Sequence, residues 1–245
     1  RWDGLQGLQH LKGLDDALDE AEALAAFAAR LERLRDRLQG LPRQLLVVSE
    51  AERQDAIAEA LAPRWRDSST IVVQPFALVP PDMQPARQGF RVNTQVNFCA
   101  KAYPTVAPNH PDAPALHVLG DFLRNGYLHR AIREQGGAYG GGAGYHPDSG
   151  AFRFYSYRDP RLAGTLADFD QALDWLQTYD HPARTLEEAI LGVIAAIDKP
   201  GSPAGEAISA FFGALFGRTP EQRRAYRQRV LNVTLDDLKR VAATW

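Results

Sequence analysis

REQGGAYGGGAGY, from Arg133 to Tyr145, places six glycines in thirteen residues and sets two tyrosines among them. How this stretch is read decides the fold. Upstream, residues 112–135 carry Leu116, Leu119, Leu123 and Tyr127 on one stripe, the spacing of a helix with a buried face. Gly136 and Gly137 stand where that helix should stop, because glycine readily closes a last turn. Downstream, residues 138–145 and 151–158 flank the turn-rich HPDSG and read as a β-hairpin, with AFRFYSY (151–157) as its alternating aromatic strand. The glycines therefore lie after a helix and before a strand.

That order argues against a phosphate cradle. A P-loop needs G-x-x-x-x-G-K-[ST] after a strand and at the head of a helix, and no Lys-Ser or Lys-Thr follows these glycines. The dinucleotide pattern G-x-G-x-x-G fails as well, since Gly140 and Gly142 are followed at 145 by Tyr.

Working outward, residues 14–38 read as a helix, with Leu24, Phe27, Ala28, Leu31, Leu34 and Leu38 near helical spacing. Gly40 and Pro42 end it. LLVVSE (45–50) is a short strand candidate. Residues 51–65 read as a helix with Ser49 as its N-cap, and STIVVQPF (69–76) as a second strand. A connection holding Pro75, Pro80, Pro81 and Pro85 follows, and proline lacks the donor that helices and central strands need. FRVNTQVNF (90–98) alternates, with Phe90, Val92, Thr94, Val96 and Phe98 on one face, as a half-buried strand does. After 160 the chain reads as helical. Thr185–Glu188 and Thr219–Gln222 match capping boxes, and Ser202-Pro203 and Thr234 mark further starts. The pattern predicts an α+β fold, with a mixed or mostly antiparallel sheet and helices packed on one face.

Composition narrows the function classes. The chain has 245 residues, 45% hydrophobic and 24% charged, enough for one large domain or a domain with an appendage. A formal net charge of -2 gives no basis for nucleic acid or a membrane surface as partner. No apolar run reaches the ~18 residues of a membrane span, and no signal peptide is visible. One cysteine excludes a disulfide scaffold and leaves the compartment unknown. The chain starts at Arg1 and its one Met is Met83, which predicts a piece of a longer polypeptide.

Little in the chain itself supplies chemistry. His10, His110, His117, His129, His146 and His181 show no H-x-x-x-H or H-x-x-E-H pair, so no zinc site within the chain is expected. Cys99 ends an alternating strand and fits a core position better than a nucleophile. No G-x-S-x-G elbow is present, and nothing indicates that carboxylates such as Asp121 and Glu134 converge. What remains is Arg133 and Tyr139 across the glycine junction, two donors able to hydrogen-bond a peptide carbonyl or a developing oxyanion. The plain alternative is an exposed Arg at a helix end and a core Tyr at a strand start.

LHRAIREQGGAYGGGAGY (128–145) with GAFRFYSYRDPR (150–161) resembles the C-terminal half of the pitrilysin/insulinase superfamily of zinc metallopeptidases, nearest its presequence-protease branch. The opening RWDGLQGLQHLKGLDD is similar to the stretch before the last domain of such proteins. The resemblance implies a metalloprotease-like domain of the mitochondrial processing peptidase type. It implies a helical lead-in over 1–40 from a preceding domain and a C-terminal domain over 41–245. By the same resemblance, Arg133 and Tyr139 contact substrate or stabilise the transition state, and Gly136, Gly137 and Ala138 bind substrate by shaping the turn between them. Zinc, its water and the general base come from an N-terminal zinc-bearing half, in the same chain or a partner subunit, and the substrate is a peptide held in a closed chamber. The departure is that this chain has no H-x-x-E-H, so alone it is expected to be inactive. Two alternatives stand beside this reading: a metal-free scaffold subunit of the same fold, and a module that binds peptide at an exposed strand edge.

Overall fold

The structure, a computed structural model, describes residues 5–63 and 85–245. The strand expected at 69–76 and most of the proline-rich connection lie outside the described residues. The chain forms two compact units, Arg1–Val92 and Asn93–Trp245.

In the first unit, α1 (Leu5–Leu18) packs on α2 (Ala21–Gln39), and α3 (Ala51–Leu61) follows. The single helix expected over 14–38 is thus two. Asp15, Asp16 and Asp19 crowd the C-terminal end of α1, where the helix dipole disfavours negative charge. Glu20 then takes an extended conformation and starts α2. Residues 45–50 form no strand, and Leu45, Val47 and Val48 are exposed. A strand needs a neighbour to pair its N–H and C=O groups, and among the described residues none lies beside this one. Glu50, not Ser49, is the N-cap of α3, and it makes no side-chain cap bond.

The second unit holds a three-stranded antiparallel sheet ordered β1-β3-β2, built from β1 (Asn97–Pro104), β2 (Gly140–His146) and β3 (Ala151–Asp159). The strand expected from residue 90 begins instead at Asn97, because that is where its partner ends. Asn97 pairs with Asp159, and Pro160 beyond it has no N–H to continue the ladder. The face is also the opposite one: Cys99 is buried, while Phe98 is exposed.

Over one face of the sheet lies α4 (Ala113–Leu123), which winds on as a π segment (Arg124–Gln135). The continuous helix expected over 112–135 is present, with its second half wound wider than an α-helix. Leu116, Leu119 and Leu123 are buried as their spacing predicts. They join Phe154 from β3, Phe169 and Leu176 from α5 (Ala163–Thr178), Val193 from α6 (Ala183–Ile197) and Val241 from α9 (Leu235–Thr244) in one core. Between α6 and α9 come α7 (Pro203–Leu215) and α8 (Pro220–Leu231). Ser202 caps α7, and Thr219 and Thr234 form capping boxes on α8 and α9. The Thr185 box does not form. Pro182 already opens α6, its φ preset for the turn, behind a His181 whose ring is fixed to the Leu176 carbonyl at 3.1 Å.

The glycines of β2 are explained by α4. A Cβ on Gly120 would stand 2.7 Å from Gly144 Cα, so the helix backbone rests directly on the strand. On the other side of the sheet the Tyr157 ring lies over Gly140, whose Cβ would meet its hydroxyl at 2.6 Å, a cross-strand covering of glycine by an aromatic ring.

Candidate functional site

Arg133 sits in the last turn of the π segment and Tyr139 at the mouth of β2. Of the five residues between them, Gly136, Gly137 and Ala138 form a tight cap. The Gly137 N–H donates to Arg133 O at 3.1 Å and the Ala138 N–H to Ile132 O at 3.1 Å. Each bond spans one residue more than in the cap that ends an α-helix, the increment that wider π winding demands. Gly137 has φ 79, a conformation L residues rarely adopt. Gly136 has no room for a side chain, because a Cβ would meet Ile132 O and the Arg161 guanidinium. Ala138 is buried in the core. The amides of Gly137 and Ala138 are thus spent within the turn, and all three residues fix the backbone between Arg133 and Tyr139.

The two side chains at either end are exposed, and among the described residues neither has a hydrogen-bond or ion-pair partner. Glu134, the carboxylate next to Arg133, is taken by His129 Nδ1 at 3.3 Å. Among the described residues no carboxylate is paired with the Arg133 guanidinium. Tyr139 is 63% exposed and is not the core Tyr of the plain alternative; Tyr145 fills that place, buried with its hydroxyl donating to Val106 O at 2.8 Å. No ring contact or hydrogen bond joins Arg133 to Tyr139. The cap fixes their two attachment points.

Residues not singled out from the sequence complete the site. Cys99 pairs with Ser156 but Asn97 with Asp159, so β3 carries one extra residue there, a bulge. Arg158 takes φ 49, at a cost of about 1–2 kcal/mol for a residue with a side chain. The bulge leaves both Tyr157 and Arg158 outside and turns Asp159 fully inward. The Tyr139 N–H donates to Arg158 O at 3.3 Å, the Arg158 guanidinium stands 5.5 Å from the Tyr139 ring centre, and the Tyr157 ring is 5.6 Å away. The Asp159 carboxylate accepts from Arg161 N at 2.9 Å and Thr165 Oγ1 at 2.7 Å. Arg161 in turn donates to Ala131 O at 3.2 Å and pairs with Asp168 at 2.7 Å, holding the loosened end of the π segment. The signal in the sequence is the break in alternation: buried Phe152, Phe154 and Ser156 predict burial at 158, where an Arg stands.

Other candidate groups stay apart. Burial pushes the Cys99 thiol up from its ordinary value, which makes it inert. His117 faces the Tyr226 hydroxyl at 3.1 Å, His129 faces Glu134, and His181 is in an aromatic nest with Trp175 at 4.4 Å. Among the described residues no three His, Cys, Asp or Glu side chains gather to hold a metal ion, so the residues present do not fit a zinc ion. Asp121 and Glu134 do not converge, since Asp121 pairs with Arg124 at 3.0 Å. A cleft of about 500 Å³ between α4, the π segment and the start of α6 is lined by Asp121, Trp175, His181 and Glu188 and by neither Arg133 nor Tyr139. Its acids are engaged too, Glu188 with Arg184 at 2.8 Å. No described helix is long and apolar enough to cross a membrane.

A family profile described as the PreP C-terminal domain matches residues 87–244. The sequence is 34% identical over 232 residues, 94% of this chain, to the mitochondrial presequence protease of Yarrowia lipolytica, and spans 22% of that protein. Against the mitochondrial presequence protease of Drosophila melanogaster it is 42% identical over 159 residues, 64% of this chain and 15% of the relative. Among solved structures, a protease from Helicobacter pylori superposes with a TM-score of 0.56 at 16% identity, covering 80% of this chain and 50% of that one. A Bordetella pertussis Tohama I protein described as a zinc protease gives 0.50 at 20% identity, covering 61% of this chain and 89% of its own. At such identities the likeness is one of fold, and it matches the α+β architecture described above.

Proposed function

Because the chain belongs to the family of the PreP C-terminal domain, we propose that it is the non-zinc part of a zinc metalloendopeptidase that degrades peptides. Residues 1–40 lead in from the preceding part; within residues 41–245 the compact unit Asn93–Trp245, which carries most of the profile match, is the body of the C-terminal domain. The zinc and the general base sit in the N-terminal part, which closes with this domain around the peptide to form a chamber. Arg133 and Tyr139 reach the substrate from this side.

The observation that carries the reading is the pair itself. Two donors stand exposed, with no hydrogen-bond or ion-pair partner among the described residues, at the two ends of a turn whose backbone is fixed by paired amides and a left-handed glycine. The guanidinium is a permanent cation with five N–H donors, and the phenol adds one O–H. Both suit a peptide carbonyl oxygen, which gains negative charge as its carbon is attacked. Fixed backbone at both attachment points lessens what must reorganise at that moment.

The test is turnover of an unfolded peptide by the intact protein. Arg133→Ala and Tyr139→Phe should each lower kcat/KM by roughly tenfold to a thousandfold, the loss expected for one transition-state hydrogen bond. Wild-type turnover in both variants would sink the role. The chain on its own, supplied with zinc, should cleave nothing.

A further inference from the structure

The Tyr139 hydroxyl is useful to a passing peptide only if the ring points one way, and an exposed side chain at a strand mouth has no reason to do so by itself. We propose that Arg158 is a positioning residue for Tyr139, fixing the phenol before the peptide arrives. The inference rests on the reading of Tyr139 above and adds to it a residue that neither the motif nor the helix–glycine–strand pattern picks out.

Three linked features meet at Arg158. Its backbone is left-handed at φ 49, while the other positive-φ positions among the described residues are glycines. Strained backbone of this kind clusters at functional sites. The bulge that imposes it places two consecutive residues, Tyr157 and Arg158, on the exposed side, which is how bulges re-aim side chains beside active sites. The re-aimed guanidinium then lies over the Tyr139 ring at 5.5 Å, within the reach of a cation–π contact. Among the described residues it has no carboxylate partner that would draw it elsewhere. The Arg158 carbonyl takes the Tyr139 N–H at 3.3 Å, and the Tyr157 ring is 5.6 Å away at 56°. Backbone, ring face and ring neighbour are therefore all set by the one bulge. Asp159 locks the bulge from behind through Arg161 N and Thr165 Oγ1.

A residue that acts through Tyr139 has a kinetic signature that a structural residue lacks. With the hydroxyl absent, there is nothing left to aim. The experiment is a double-mutant cycle in the intact, zinc-loaded protein, with kcat and KM measured separately on an unfolded peptide. Arg158→Gly removes the guanidinium and accepts the left-handed backbone without strain, so its melting temperature should match the parent's. Its kcat should fall by about two- to fivefold, the worth of an exposed cation–π contact, with KM little changed. Arg158→Lys should restore part of the loss. In a Tyr139→Phe background, Arg158→Gly should cause no further loss. An equal loss in both backgrounds overturns the inference, because Arg158 would then act without Tyr139. Wild-type kcat for Arg158→Gly beside an impaired Tyr139→Phe also overturns it, and leaves the role of Tyr139 standing. Wild-type turnover for Tyr139→Phe overturns both.

Discussion

Asp159 has no exposed surface, yet it is a carboxylate, and burying one costs several kcal/mol unless it is paired and hydrogen-bonded. Here it accepts from a backbone amide and a buried hydroxyl and ties the end of β3 to the first turn of α5. Asp159→Ala leaves the Thr165 hydroxyl and the Arg161 N–H without acceptors. The variant should lose about 2–3 kcal/mol of stability, read from its urea midpoint, whereas Asp159→Asn, whose carbonyl oxygen can accept from the Arg161 N–H while its amide donates to the Thr165 hydroxyl, should lose less. At this scale the positions of Arg133 and Tyr139 are legible in the sequence, one at a helix end and the other at a strand start, whereas the role proposed for them comes from the family resemblance. Arg158 is not legible in the same way. Its left-handed backbone exists because β3 must pair with β1 on one edge and β2 on the other across a bulge, and that is a property of the assembled sheet. The broken alternation at 156–159 marks the place without naming the partner ring.

Among the elements, the long helix, the hairpin and the capped C-terminal helices follow from local pattern, because periodicity, turn residues and caps are local causes. Strands that need a distant partner do not. Residues 45–50 and 90–96 alternate or run apolar, but without a neighbour in the described structure they stay irregular. The glycine-rich strand shows how packing overrides propensity. Gly120 lies inside α4, where replacement by Ala should gain up to about 1 kcal/mol of helix propensity. The added Cβ would stand 2.7 Å from Gly144 Cα, against backbone that cannot swing aside, and overpacking of this kind costs about 1–3 kcal/mol. The clash wins. Gly120→Ala should lower the melting temperature, while Gly144→Ala, whose Cβ meets nothing within 4 Å, should leave it nearly unchanged. Equal behaviour of the two variants in thermal denaturation would show that α4 does not rest on β2 as described.

At the scale of the whole second unit, two titrating groups tie α4 to the C-terminal helices, and both make stability depend on acid. His117 on α4 faces the Tyr226 hydroxyl of α8 at 3.1 Å, and burial pushes its pKa down from the ordinary 6.5. The unfolded chain therefore takes up the proton first. The contribution of neutral His117 is fully present above about pH 6.5 and is lost as pH falls toward the folded value. Asp112, just before α4, accepts from Arg240 at 2.8 Å and from the Trp245 indole at 3.1 Å, closing the C-terminus onto α4. The Arg240 hydrogen bond holds its carboxyl below its usual 3.8. That contribution is present above about pH 4 and is lost as pH falls further. The urea midpoint of the chain should accordingly be flat between about pH 6.5 and pH 8, decline gently below that window, and drop again below about pH 4. His117→Gln should remove the first decline and leave the second. A first decline of unchanged size in that variant would place the proton uptake on another group.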